Sequence, residues 1–140
     1  MKACKQMPVL TPHLGELSAL LGVTVKELRA NLLERVRDAA KTYQSVFVVK
    51  SESTVIVYPD GEAFFSSKGN PSMATAGSGD VLAGTIAGLM KQMESGMAPL
   101  AGVYLHGNAG DMAAEEMGEG LIASDILERL PRARLSLARA

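Results

Sequence analysis

Cysteine is nearly absent from these 140 residues: Cys4 stands alone, so no intrachain disulfide can form. No Cys/His cluster offers the spacing of a metal site either. Tryptophan is missing and Tyr and Phe number three each, which leaves aliphatic side chains and eight methionines to fill a core. Neither sign of charge is in excess. Fourteen basic and fifteen acidic residues give a formal charge of −1, with no basic stripe and no acidic tail, which argues against electrostatic capture of nucleic acid or of an anionic membrane. No apolar run approaches the roughly 20 residues that span a bilayer. Met1-Lys2-Ala3-Cys4-Lys5 leads into no signal-peptide core, so the expected location is cytoplasmic.

What remains is a globular composition, 47% hydrophobic and 21% charged, which excludes a disordered chain. At this length one domain, residues 1–140, is the natural count, and it would hide roughly two thirds of its unfolded surface. Glycine is the exception to the scarcity: there are 14, and much of that load falls in one stretch.

Met7-Pro8-Val9-Leu10-Thr11-Pro12 reads as a strand entering a loop, and Leu14, Leu17, Leu20 and Leu21 then recur at helical spacing up to Gly22. Thr24 and Glu27 form a capping-box pattern that opens an amphipathic helix to Lys41. The run Val46-Phe47-Val48-Val49-Lys50 predicts a strand buried in a parallel sheet. Thr54 to Tyr58 and Ala63 to Phe65 flank Pro59-Asp60-Gly61 and predict a hairpin. Three helices follow: Asp80 to Met93, Leu100 to Met117, and one capped by Ser124 that stops before Pro131, leaving a frayed tail with Arg132, Arg134 and Arg139. Strands early and helices late predict an α/β layout.

The chemistry concentrates in Gly69-Asn70-Pro71-Ser72-Met73-Ala74-Thr75-Ala76-Gly77-Ser78-Gly79-Asp80. A glycine-rich turn feeding a helix exposes amides without intrahelical partners, and the helix dipole adds partial positive charge, so such a terminus suits phosphate. Asp80 could accept the proton of a hydroxyl attacking a phosphoryl group, or it could be only a dipole partner at a capped helix; spacing alone does not separate the two. The Walker loop is excluded because no Gly-Lys-Ser/Thr closes the stretch, and the dinucleotide fingerprint because Leu82 stands where its third glycine belongs. His13 and Glu16 follow a strand's carboxyl end, where open α/β sheets bind ligands, although a solvated loop explains them as well. Lys50 could reach a phosphate or simply reach water. His106 sits among small residues, for which close helix packing is the better account, and Asp125 reads as helix-terminal electrostatics. Met90, Met93, Met112 and Met117 read as filler.

Four segments taken in order, Thr11-Pro12-His13-Leu14-Gly15-Glu16, Lys50-Ser51-Glu52-Ser53-Thr54, Gly69 to Gly84, and Tyr104-Leu105-His106-Gly107, resemble the ADP-dependent NAD(P)H-hydrate dehydratases of the ribokinase-like superfamily. The resemblance runs from about Val9 to Pro131. It implies a three-layer ribokinase-like (Rossmann-like) α/β sandwich and an enzyme that repairs hydrated NADH and NADPH. In that chemistry ADP or ATP phosphorylates the substrate hydroxyl, and loss of phosphate restores the ring. By position, His13 would contact the hydrated nicotinamide nucleotide, and Lys50, Ser51, Glu52, Ser53 and Thr54 would line the adenine nucleotide. Gly79 would donate its amide to phosphate, Gly77 and Ser78 would complete the anion hole, and Asp80 would be substrate-facing base. Mg2+ is a plausible companion of phosphoryl transfer, although no dedicated metal ligand stands out.

The chain departs from the family pattern at Leu14, Ser51, Ser72 and Ala76. Ala76 stands where another glycine is common, which predicts either a distorted loop or a position that never needed positive φ. The Ser51 change bears on the adenine side. The family domain also carries further βα units before the Thr-Pro-His segment, so the sandwich is expected to be incomplete and to need a homo-oligomer or a partner chain. A non-catalytic nucleotide-binding half-domain and another ribokinase-like small-molecule kinase are the competing readings.

Overall fold

Val46–Val49 (β2) is the centre of the amino-terminal sheet, and all its residues are buried. The structure, a computed structural model, describes residues 6–94 and 96–138; Cys4, the segment Met1 to Lys5 and Arg139 lie outside the described residues. The chain divides into two compact units, Met1–Phe65 and Ser66–Ala140.

In the first unit, Val9–Leu10 (β1) runs parallel to β2 with Val9 opposite Val46. Val55–Val57 (β3) is antiparallel to β2, and Ala63–Phe65 (β4) is antiparallel to β3, giving the order β1-β2-β3-β4. The sheet is therefore mixed, and the parallel environment expected for β2 exists on one side only. Residues 50–54 are too short a link for a crossover of a dozen or more residues, so β3 must return antiparallel. The predicted hairpin is present, turned at Gly61 with φ +93° and closed by Gly61 N–H donating to the Tyr58 carbonyl at 2.9 Å.

Leu14–Leu21 (α1) ends at Gly22 in the left-handed region, φ +66°. The single helix expected from Thr24 to Lys41 is instead two, Val25–Ala30 (α2) and Leu32–Tyr43 (α3), separated by Asn31 at φ −141° and ψ 45°. Asparagine competes poorly for a helix interior, and the break resets the apolar face between Leu28 and Val36. Leu14, Leu17, Leu28, Val36, Ala39 and Ala40 pack with Phe47, Val49, Val55 and Val57 into one core.

In the second unit a 3-10 turn, Pro71–Met73, precedes Ser78–Leu89 (α4), Ala98–Met117 (α5) and Ala123–Ala138 (α6), and another, Gly118–Gly120, lies between α5 and α6. Its core gathers Leu89, Leu105, Ala109, Ala113, Leu121, Ile126 and Ala133. The helix expected from Asp80 to Met93 starts earlier, because Gly77 at φ +87° turns the chain into it, and stops earlier, where Gln92 N–H closes on the Leu89 carbonyl. The third helix starts before Ser124 and runs through Pro131 instead of stopping ahead of it, so the segment beyond is helical up to Ala138. Tertiary packing carries that extension: Ala133 is fully buried, and Asn108 of α5 donates to the Ser136 hydroxyl at 3.2 Å. Asp125 does accept the Ile122 N–H at 2.8 Å, as a helix-terminal carboxylate should.

Candidate functional site

Two groups of the expected residues can be built from the chain upward, one in each unit. In the first unit the carboxyl ends of β1 and β2 lie side by side: Lys50 N–H donates to the Pro12 carbonyl at 2.9 Å, and His13 forms a parallel bridge with Lys50. His13 is the N-cap of α1. Its Nδ1 accepts the Glu16 N–H at 3.1 Å, and its own N–H donates to Glu16 Oε2 at 2.7 Å. Because Nδ1 accepts, Nε2 carries the proton of the neutral ring. Gly15 makes this possible, since a Cβ there would stand 2.9 Å from His13 Cε1. Glu16 also lies 3.9 Å from Lys50 Nζ. Hydrogen bonding from the His13 N–H holds the Glu16 carboxyl below the usual carboxylate range, against desolvation and with a smaller contribution from the Lys50 charge.

The segment after β2 turns sharply. The Ser51 hydroxyl donates to the Ser53 carbonyl at 2.7 Å, while Glu52 points to α2 and pairs with Arg29 at 3.0 Å. Glu52 is pulled below its ordinary range by its own backbone N–H and by Arg29. His13, Glu16 and Lys50 are thus brought together. The Glu52 carboxylate is already engaged.

In the second unit the glycine-rich turn has the geometry of an anion cradle. Gly77 is the N-cap of α4 without a side-chain cap. Ser78 N–H is taken by the Thr75 carbonyl, and Asp80 N–H by that of Gly77. The N–H groups of Ala76, Gly77 and Gly79 have no partner among the described residues. Three free amides at a helix N-terminus are what a phosphate group uses. Ala76 does not have positive φ, since Gln44 is the sole non-glycine with that conformation among the described residues, so the alanine leaves the turn undistorted. Asp80 is exposed in the first turn, and its carboxylate has no hydrogen-bond or ion-pair partner among the described residues.

Helix α5 supplies groups that the sequence reading passed over. Asp111 accepts from Gly69 N–H at 3.3 Å and from Asn70 Nδ2 at 2.9 Å, and the Gly110 carbonyl accepts from the same Nδ2 at 3.2 Å. His106, read as a packing residue, is buried as that reading requires, yet its Nε2 also lies 3.0 Å from the Ser78 carbonyl and 3.4 Å from the Ser78 hydroxyl. The signal for this was the pair Gly107 and Gly110, where α5 makes room for the turn. A Cβ on Gly107 would meet the Lys68 backbone at 2.9 Å, and one on Gly110 would meet Met73 Cγ at 2.8 Å. No three His, Cys, Asp or Glu side chains gather as a metal site among the described residues, and no described helix is long and apolar enough to cross a membrane.

Likeness to solved structures places the fold in the ribokinase-like class. The sequence model for NAD(P)H-hydrate dehydratase matches residues 1–132, and the chain belongs to that family. It is 48% identical over 125 residues to the bifunctional NAD(P)H-hydrate repair enzyme of Moorella thermoacetica, covering 88% of this chain and 24% of that one. It is 39% identical over 128 residues to the ADP-dependent (S)-NAD(P)H-hydrate dehydratase of Neisseria meningitidis, covering 89% and 43%. The solved ADP/ATP-dependent NAD(P)H-hydrate dehydratase of Bacillus subtilis, co-crystallised with ATP and Mg2+, superposes with a TM-score of 0.87 at 36% identity, covering 92% of this chain and 48% of that chain. The chain spans half or less of the length of these relatives, as expected of an incomplete sandwich.

Proposed function

We propose that residues 1–140 act as part of one ribokinase-like domain that dehydrates hydrated NADH or NADPH at the expense of ADP or ATP. The observation that carries this is the pairing of free amides at Ala76, Gly77 and Gly79 with the unengaged Asp80 carboxylate. In the reaction, Asp80 takes the proton as the substrate oxygen bonds to the terminal phosphorus of the nucleotide, and the shortened nucleotide leaves with the electrons of the broken P–O bond. Phosphate then departs with the C–O bonding electrons, a proton leaves the neighbouring carbon, and the ring double bond is restored. The three amides and the α4 dipole would stabilise the charge of the transferring group. His13, exposed at the cap of α1 with its Nε2 3.6 Å from Glu16 Oε1, would contact the hydrated nucleotide. Lys50, Ser51, Ser53 and Thr54 would line the adenine nucleotide, and Glu52 would do so only on release from Arg29.

Mg2+ would be held mainly by the phosphate oxygens of the nucleotide, which is how this ion usually binds. When bound it would neutralise phosphate charge. Cytoplasmic location belongs to the same proposal, as does assembly with another copy or a complementary chain.

The test is recovery of NADH from its hydrate with ADP or ATP present, following absorbance at the reduced-nicotinamide band. Asp80→Asn should lose at least about a hundredfold in kcat, the scale of a positioned general base. Unchanged turnover would remove Asp80 from the mechanism. Half-length coverage of the relatives favours one competing reading, a nucleotide-binding module without chemistry. Heat on titration with ADP or ATP, together with no turnover, selects it.

A further inference from the structure

Resting on the phosphate-binding role of the turn, we propose that His106 is a positioning residue that aims the Gly79 amide. The argument is one of peptide geometry. The Ser78 carbonyl and the Gly79 N–H belong to the same planar peptide group and point in opposite directions, so fixing one fixes the other. His106 Nε2 sits 3.0 Å from the Ser78 carbonyl oxygen. A carbonyl can only accept, so Nε2 must carry a proton and donate. The ring therefore holds the back of the peptide whose front is the unpartnered Gly79 N–H.

The pin is rigid because its base is. His106 is 9% exposed on α5, and α5 lies close to α4 where Gly102 has no side chain: a Cβ there would fall 2.5 Å from Ile86 Cγ1. The start of the turn is held from the same helix by Asp111, through Gly69 N–H and Asn70 Nδ2. Both ends of the segment are thus referred to one element, and the part between them, Ala74 to Gly77, is free to meet a ligand. An anion site made of backbone amides depends on their direction, since the groups cannot reorient at the moment of reaction without losing preorganisation.

Two substitutions of similar length separate positioning from packing. His106→Gln keeps an N–H donor within reach of the Ser78 carbonyl, whereas His106→Met fills the same space with none. Packing alone predicts that Met is tolerated better than Gln, because an apolar site penalises an amide. Positioning predicts the reverse order. In the 15N-labelled full chain, the Gly79 amide resonance should move in His106→Met and return toward the wild-type position in His106→Gln. By calorimetry, ADP or ATP should bind about tenfold more weakly to the Met variant and within about threefold of wild type to the Gln variant. A Gly79 resonance unmoved by Met, or moved equally by both, overturns the proposal. A wild-type chain that gives no heat with ADP or ATP overturns the nucleotide reading instead, and the Gly79 resonance still decides the role of His106.

Discussion

Glu16 illustrates how one side chain serves both the fold and the candidate site. Its carboxylate closes the capping box on His13 and faces Lys50, and those contacts lower its pKa. A group whose folded-state pKa is depressed stabilises the fold above its unfolded pKa, and the contribution disappears as pH falls through the folded value. Unfolding free energy should therefore decline as pH drops from about 5 through the unfolded value of about 4.3 and below. Glu27 and Glu52, whose pKa values are also lowered, by Thr24 and by hydrogen bonding with Arg29 support, add to the same slope. Urea titrations across this range should show a shallower slope for Glu16→Gln, which keeps an oxygen to accept the His13 N–H and removes only the titrating charge. An identical pH slope in the variant would mean that the box does not persist in solution. At neutral pH, loss of one cap should cost about 1 kcal/mol.

At the scale of elements, α5 and α6 show where local rules give way to packing. Gly107→Ala and Gly110→Ala both gain helix propensity of about 1 kcal/mol, so only the space at each position distinguishes them. Gly107 faces the Lys68 backbone, which cannot retreat without moving the turn, whereas Gly110 faces the flexible end of Met73. Chemical denaturation should find Gly107→Ala destabilised by about 1–3 kcal/mol and Gly110→Ala by distinctly less. Pro131 is the opposite case. It lies exposed inside α6, and a proline in a helix interior costs about 3 kcal/mol. Pro131→Ala should raise the melting temperature; a fall would show that the ring makes a contact worth more than the lost hydrogen bond. Sequence patterns revealed the elements whose signals are local: the Thr24–Glu27 box, the Gly22 stop, the hairpin at Gly61 and the glycine turn before α4. They did not reveal the break at Asn31 or the continuation past Pro131, because each depends on which surface the helix meets. For the same reason the glycine turn that carries Gly79 and Asp80 was legible, while the contacts that His106 and Asp111 make with it were not, since their partners lie 28 and 41–42 residues away in the chain.

At the scale of the whole molecule, the exposed apolar side chains bear on the proposed assembly. In the second unit Leu127, Pro131 and Leu135 fall at four-residue spacing along α6, and the two leucines are 54% and 59% exposed. Pro131 and Leu135 line a groove of about 610 Å3 together with Gly84 and Gly88 of α4 and Leu105 of α5. The proposed assembly would give this groove a cover. Light scattering on the 14.7 kDa chain should then report a mass above that of one copy at micromolar concentration. Leu127→Lys together with Leu135→Lys should return it to one copy, without lowering the melting temperature measured in dilute solution, because both side chains are exposed within the chain itself. If the unsubstituted chain stays single and binds no apolar dye, the stripe has no partner and the assembly proposal fails. If it stays single yet binds dye strongly, a complementary chain, not a second copy, is the cover that the groove requires.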